Sequence, residues 1–75
     1  MVTYETLKES FEDEILGCYN SFGIAAYIEH DGIAECAVYI PDVFTDENEA
    51  ILLVEKCNRL ALDPEHLADV VYDSL

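Results

Sequence analysis

The side chains that could carry out chemistry in this sequence are two histidines and three cysteines. His66 has Glu65 and Asp69 close by, so it is a candidate metal ligand or general base. A catalytic histidine also needs an orienting partner and a nucleophile, and the spacing of the sequence supplies neither. His66 is therefore expected to be a helix-start residue that packs locally, and His30 an exposed turn residue.

The three cysteines, Cys18, Cys36 and Cys57, are far apart and form no C-x-x-C pair, which argues against a zinc site or a redox motif. A cysteine nucleophile needs positive neighbours, and the chain has only three Lys and Arg residues. Cys36 and Cys57 are expected in the core, because they fall on apolar faces. Cys18 is left as a candidate reactive or partner-binding thiol.

The location of the protein is predicted from the same cysteines and from the start of the chain. A small secreted domain is usually held together by an even set of disulfides, and here the number is odd. The first residues lack the basic region and apolar run of a signal peptide. No apolar run has the length that a bilayer span needs. A cytoplasmic protein with reduced thiols is expected.

The charge balance limits the partners. Seventeen Asp and Glu residues face three Lys and Arg, which gives a formal net charge of −14. Phosphate backbones and anionic membrane surfaces would both be repelled, so neither nucleic acid nor a membrane is an expected partner. A basic protein or a cation would suit this charge, although an evenly solvated acidic surface is the simpler explanation.

Two acidic patterns are candidate sites. Glu65, Asp69 and Asp73 fall four apart and would form a stripe on a helix, with carboxylates about 6 Å apart along its axis. That spacing is close to the spacing of phosphates along a strand, but any exposed helix of an acidic chain shows such a stripe. A second cluster lacks the glycine and the alternate spacing of a calcium loop, so no metal or cofactor is predicted. Its members are Asp42, Asp46, Glu47, Asn48 and Glu49.

The elements that position these residues include a β-hairpin whose turn signal is His30-Asp31-Gly32. A two-residue loop would pair Ile28 with Glu35 and mix apolar and polar side chains on both faces. A three-residue loop that starts at His30 makes one face wholly apolar, so this second register is predicted, with a positive φ at Gly32. Its pairs are Ile28–Ala34, Ala26–Cys36, Ile24–Val38 and Phe22–Ile40.

The opposite face of this hairpin is less polar than a solvated sheet face usually is. In the predicted register it consists of Ala25, Tyr27, Glu29, Ile33, Glu35, Ala37 and Tyr39. Tyr27, Tyr39 and Ile33 are the candidate interface, and a weak homodimer through this face is predicted. The strand is expected to end at Pro41 and Asp42, because proline cannot donate a ladder hydrogen bond.

Two helices are predicted after the hairpin. Thr45 is the expected N-cap of the first helix, and Asp63 followed by Pro64 is a strong start signal for the second. The residues expected to face the core are Ala50, Leu53, Val54, Cys57 and Leu60 in the first helix and Leu67, Val70 and Val71 in the second.

Residues 3–11 fit either a helical stripe or a strand. The strand is preferred, with a turn at Glu12-Asp13 and a new strand from Glu14, because an isolated two-stranded hairpin is only marginally stable. The predicted fold is α+β, with a three-stranded antiparallel sheet followed by two C-terminal helices on one face, in the order β-β-β-α-α. Residues 1–75 would form one acidic domain.

Several segments of the sequence resemble a known family. They are Ser21-Phe22-Gly23-Ile24, the acidic stretch before Thr45-Asp46, and above all the tail from Cys57 to Asp73. These segments are similar to an uncharacterised small-domain family of anaerobic Gram-positive bacteria. The resemblance implies an N-terminal strand and a cytoplasmic location. The family has no assigned activity, so it implies no functional residues.

No active site is recognisable in the sequence. The leading hypothesis is therefore a non-enzymatic protein-interaction or regulatory domain. One alternative is an acidic nucleic-acid mimic that inhibits a basic nucleic-acid-binding protein, which would use the carboxylate stripe. Another is a small cation-binding protein.

Overall fold

The computed structural model describes all residues from 1 to 75, as three strands followed by two helices. The strands form one antiparallel sheet in the order β1-β2-β3, and a short 3₁₀ turn at Pro64–His66 precedes the last helix. The elements are β1 (Val2–Asp13), β2 (Gly17–His30), β3 (Ile33–Phe44), α1 (Glu47–Arg59) and α2 (Leu67–Ser74). The α+β fold in the order β-β-β-α-α is confirmed, with a strand at residues 3–11.

Both helices pack on the same face of the sheet. Alternation along a strand sends every second side chain to that face, and Tyr4, Ile24 and Ala26 are buried there. The two helices supply Ala50, Leu53, Cys57, Leu67 and Val71 to the same core. Leu60 was expected to join them, but it is 60% exposed because α1 ends at Arg59.

The turn between β2 and β3 corrects the predicted hairpin register. It is the two-residue turn Asp31-Gly32, with φ angles of 54° and 81°, and His30 lies opposite Ile33. Two positive φ angles in a two-residue turn match the twist of the flanking strands, which favours this loop over a three-residue one. The positive φ of Gly32 is confirmed, and the predicted pairing of Ile28 with Ala34 is wrong.

A β-bulge restores the apolar face that the two-residue turn would otherwise disrupt. Tyr27 pairs with Cys36, but Ala26 pairs with Val38, so β3 carries one extra residue at this point. Beyond the bulge, Val38 and Ile40 face the core. Before it, Cys36 shares the outer face with Tyr27 and is exposed, so the prediction of a buried Cys36 is wrong.

A second irregularity carries β3 past the proline. Ile24 pairs with Ile40 and Phe22 with Phe44, so Pro41 and Asp42 lie within the strand and do not end it as predicted. Asp42 has a φ of 55°, the left-handed conformation that bends the strand here. The distortion is tolerated because β3 is an edge strand, and an edge strand need not donate every N–H to a neighbour.

The remaining boundaries shift by a few residues. The first turn is at residues 14–16 and not at Glu12-Asp13, because β1 continues to Asp13. The N-cap of α1 is Asp46 and not Thr45, since the Asp46 carboxylate accepts a hydrogen bond from the Asn48 N–H at 2.8 Å. Asp63 is a cap as predicted, but it caps the 3₁₀ turn.

Replacing Gly32 with valine should lower the free energy of unfolding by more than about 1 kcal/mol. The reason is its φ of 81°, which a β-branched residue adopts only with strain. Chemical denaturation of the two proteins measures the difference. No Cβ clash contributes, because a Cβ at this position would meet nothing within 4 Å. An unchanged unfolding midpoint would contradict the backbone explanation.

Candidate functional site

The most distinctive surface is the end of the β1–β2 hairpin, which we call the ribbon and define as residues 8–20. The β2–β3 pairing stops at Phe22, so the ribbon has only two strands. None of its residues is buried, whereas β2 is buried continuously from Ser21 to Ala26. The molecule is correspondingly elongated, with extents of 44 × 25 × 19 Å.

Side-chain contacts hold the ribbon in shape. Phe11 and Tyr19 face each other across the two strands and stack, with ring centroids 5.6 Å apart. The Tyr19 hydroxyl donates to the Asp42 carboxylate at 3.1 Å, which ties the ribbon to β3. On the other face, the Ser10 hydroxyl donates to the Asn20 side-chain oxygen at 2.8 Å. The ribbon is therefore an ordered projection.

Two apolar side chains stand at the end of this projection. Ile15 is 93% exposed and Leu16 is 72% exposed. The Asp13 carboxylate accepts hydrogen bonds from their backbone N–H groups, at 2.8 Å and 3.0 Å, and Gly17 closes the turn with a φ of 74°. The bonds from Leu16 and Ile15 lower the pKa of Asp13, so its carboxylate stays charged and orders the turn at neutral pH.

The surroundings of these two side chains are acidic. Glu9, Glu12, Asp13 and Glu14 lie within the ribbon, and Lys8 is its only basic residue. The sequence analysis missed this site, because it treated Glu12-Asp13 only as a hairpin turn. The sequence shows the apolar pair Ile15-Leu16 between Glu14 and Gly17, but it does not show that the pair is exposed.

Added salt should make the domain more stable near neutral pH, because its unpaired carboxylates repel one another. The carboxylates that give the protein its net charge of −14 repel one another. At 0.1 M ionic strength, salt screens this repulsion between exposed charges that are more than about 10 Å apart. We expect the melting temperature to rise from low to moderate sodium chloride. A steady fall would indicate that specific ion pairs dominate, and only three basic residues are available to form them.

The predicted tyrosine interface is not brought together as expected. Tyr27 remains on the outer face, but Ile33 pairs with His30 and therefore belongs to the opposite face. Tyr39 already packs within the chain, because its ring covers the space above Gly23. Glu5 and Glu29 flank Tyr27 in a shallow hollow. The homodimer through this face stays a prediction, on a smaller surface.

The carboxylate stripe is divided between two elements. Glu65 lies in the 3₁₀ turn, whereas Asp69 and Asp73 lie in α2, so the regular spacing of a single helix does not hold. All three side chains are exposed. In the acidic cluster from Asp42 to Glu49, the Asp46 side chain caps α1. No group of three or more His, Cys, Asp or Glu side chains could hold a metal ion.

The candidate catalytic side chains do not form a reactive pair. His30 and His66 are both exposed, and His66 precedes α2 without making a side-chain cap. Cys18 is exposed, and its thiol lies 4.0 Å from a Glu12 carboxylate oxygen. Cys57 is buried as predicted, and burial raises the pKa of its thiol.

The sequence reasoning also missed Asn58, which fastens α1 to the edge of the sheet. Its side-chain oxygen accepts from the Tyr4 N–H at 2.8 Å, and its amide nitrogen donates to the Tyr4 carbonyl at 3.1 Å. The Tyr4 hydroxyl donates to the Leu62 carbonyl at 2.6 Å. Burial, and then the nearby Cys57 and Asp63, raise the pKa of Tyr4, so this hydroxyl stays protonated.

Comparison with known proteins gives no further guide to the site. No family profile, no curated protein and no solved structure matches the chain. The resemblance of the tail from Cys57 to Asp73 therefore stays a prediction. Neither helix combines the length and the apolar character that a membrane span requires.

Proposed function

We propose that this chain is a protein-interaction or regulatory domain without enzymatic activity, and that it contacts its partner through the end of the ribbon. The observation that carries the proposal is the exposed pair Ile15 and Leu16 on a turn that Asp13 holds in shape. Burying one such side chain in a partner contributes about 1.5–3 kcal/mol. An ordered turn also loses little conformational entropy on binding.

The partner that fits this surface is a protein with an apolar pocket and a basic rim. The pocket would take Ile15 and Leu16, and the rim would face the carboxylates of Glu12, Asp13 and Glu14. The net charge of −14 favours such a partner over nucleic acid or an anionic membrane. A cytoplasmic bacterial setting with reduced thiols belongs to the same proposal.

The test is a capture experiment with matched variants. The wild-type domain is immobilised, and basic proteins retained from a bacterial lysate are compared with those retained by the double variant Ile15→Ser/Leu16→Ser. The control is Leu52→Ser/Leu60→Ser, which removes two apolar side chains that are 66% and 60% exposed elsewhere on the surface. We expect the first variant to lose a partner that the control keeps, with release at moderate salt.

Two outcomes would contradict the proposal. One is an identical set of retained proteins for the wild type and the ribbon variant. The other is a partner that is lost only when Glu65, Asp69 and Asp73 are neutralised, which would favour the nucleic-acid mimic. Melting curves of each variant show whether the fold is intact, and no substituted side chain in either double variant is buried.

A further inference from the structure

The β1 edge of the sheet is open along the ribbon. The Glu29 N–H donates to the Met1 carbonyl at 3.0 Å, so the odd-numbered residues of β1 are those that bond to β2. The backbone groups of Tyr4 point the other way, to Asn58. Since the direction alternates along an antiparallel strand, the N–H and C=O groups of the even-numbered residues face outward. Beyond Tyr4 these residues are Thr6, Lys8, Ser10 and Glu12.

This edge carries charged side chains, but it has neither the proline nor the β-bulge that often block further pairing. β1 pairs with β2 in an unbroken register from Val2 to Asp13, with no proline and no bulge. Lys8, Ser10 and Glu12 are exposed, and only Tyr4 has its outward groups occupied. The opposite edge, β3, is irregular at two places and contains Pro41. Of the two outer strands of the sheet, β1 is therefore the one that can accept another strand in regular register along its length.

We propose that two copies of this chain pair antiparallel through the β1 edges of their ribbons, around a two-fold axis at Ser10. The two sheets then become one continuous six-stranded sheet. Lys8 of each copy lies directly opposite Glu12 of the other, so the only basic residue of the ribbon meets a carboxylate twice. The pairing uses the strand edge and is independent of the partner proposed above, which would contact Ile15 and Leu16.

Charge and geometry select this register over its neighbours. An axis at Lys8 would place Lys8 against itself and would require the Tyr4 backbone groups that Asn58 occupies. An axis at Glu9 would place two copies of Glu9 opposite each other, and directly opposed like charges are destabilising. An axis at Phe11 would oppose Lys8 to Glu14, which lies in the turn outside β1. The axis at Ser10 avoids all three conflicts.

The overall charge makes this association weak at low salt. Two copies with a net charge of −14 repel each other over long distances, and added salt screens that repulsion. Light scattering of the wild type at high concentration and moderate salt should show the mass of a dimer. A wild type that stays monomeric under these conditions would overturn the proposal.

A charge exchange tests the register directly. Lys8→Glu and Glu12→Lys each place like charges opposite each other at two positions, and each should weaken dimerisation about tenfold or more. An equimolar mixture of the two variants pairs opposite charges again and should regain the dimer. Glu9→Lys is the matched control, because it changes the charge on the same strand without entering the Lys8–Glu12 pair, and it should remain dimeric.

Other results of the exchange would overturn the pairing. A dimer that persists in both single variants cannot depend on the Lys8–Glu12 pairs, and its loss in Tyr27→Ser would assign it to the outer face of the sheet. Failure of the mixture to regain the dimer would exclude the axis at Ser10. The capture experiment on Ile15 and Leu16 is unaffected by either result, so the two proposals fail separately.

Discussion

Replacing Gly23 with alanine is expected to lower the free energy of unfolding by about 2–3 kcal/mol. Gly23 is buried in the middle of β2, and a Cβ there would lie 2.7 Å from the Ile40 carbonyl oxygen and 2.7 Å from Cε1 of Tyr39. The Tyr39 ring can rotate away, but the carbonyl belongs to the backbone of the neighbouring strand. The strands would have to separate locally. Chemical denaturation measures the change.

The sign of this effect is diagnostic. In a strand without such a contact, alanine is more stable than glycine by roughly 0.5–1 kcal/mol, because glycine loses more conformational freedom on folding. A gain in stability for Gly23→Ala would therefore contradict the close approach to Ile40. The double variant Gly23→Ala/Tyr39→Ala separates the two contacts. This variant removes the Tyr39 ring and keeps the Ile40 carbonyl. The part of the loss in unfolding free energy that comes from the contact with the Ile40 carbonyl should therefore remain.

The architecture was predictable because its signals are local. Apolar residues at helical spacing identified α1 and α2, Asp63-Pro64 indicated the start of a helical segment, and His30-Asp31-Gly32 indicated a hairpin turn. The strand at residues 3–11 was predicted by a different argument, because a two-stranded hairpin is only marginally stable without a third strand or a helix packed against it. These inferences depend on neighbours in sequence or on the number of elements, and both can be read from a single chain.

The hairpin register was not predictable from the same signals. Choosing the loop that makes every pair on one face apolar assumes that both strands are regular. The structure instead keeps the favoured two-residue turn and places a bulge near Ala37. A bulge disrupts the hydrogen-bond ladder locally, and beyond it the apolar side chains of the strand face the core again. Whether the bulge forms depends on how Val38 and Ile40 pack against the helices, and the periodicity of the sequence does not show this packing.

The two surfaces with functional interest were hidden for related reasons. Ile15 and Leu16 looked unremarkable because their exposure depends on β3 pairing with β2 only as far as Phe22. The open edge of β1 depends on the phase of its hydrogen bonds and on Asn58, which is 54 residues from Tyr4 in sequence. Neither property belongs to a local pattern, so both require the assembled sheet.

Replacing Asn58 with alanine is expected to lower the free energy of unfolding by about 2–3 kcal/mol. The variant loses both hydrogen bonds to the Tyr4 backbone and leaves a partly buried N–H and carbonyl without their partners. The matched control is Asn48→Ala in the same helix, where the side chain is exposed and makes no hydrogen bond of its own, and its effect should be within about 0.5 kcal/mol. Equal losses in the two variants would mean that the contact with Tyr4 contributes nothing.

A second substitution distinguishes the hydrogen bonds from packing. Asn58→Asp keeps the shape of the side chain and the acceptor for the Tyr4 N–H, but it places a carboxylate oxygen against the Tyr4 carbonyl. The repulsion favours the protonated carboxyl, so the pKa of this introduced group should be raised in the folded state. A raised pKa means that stability is present at low pH and is lost as the pH rises through that value. We therefore expect the gap in unfolding free energy between Asn58→Asp and the wild type to narrow as the pH is lowered. A gap that is constant with pH would assign the role of Asn58 to packing alone.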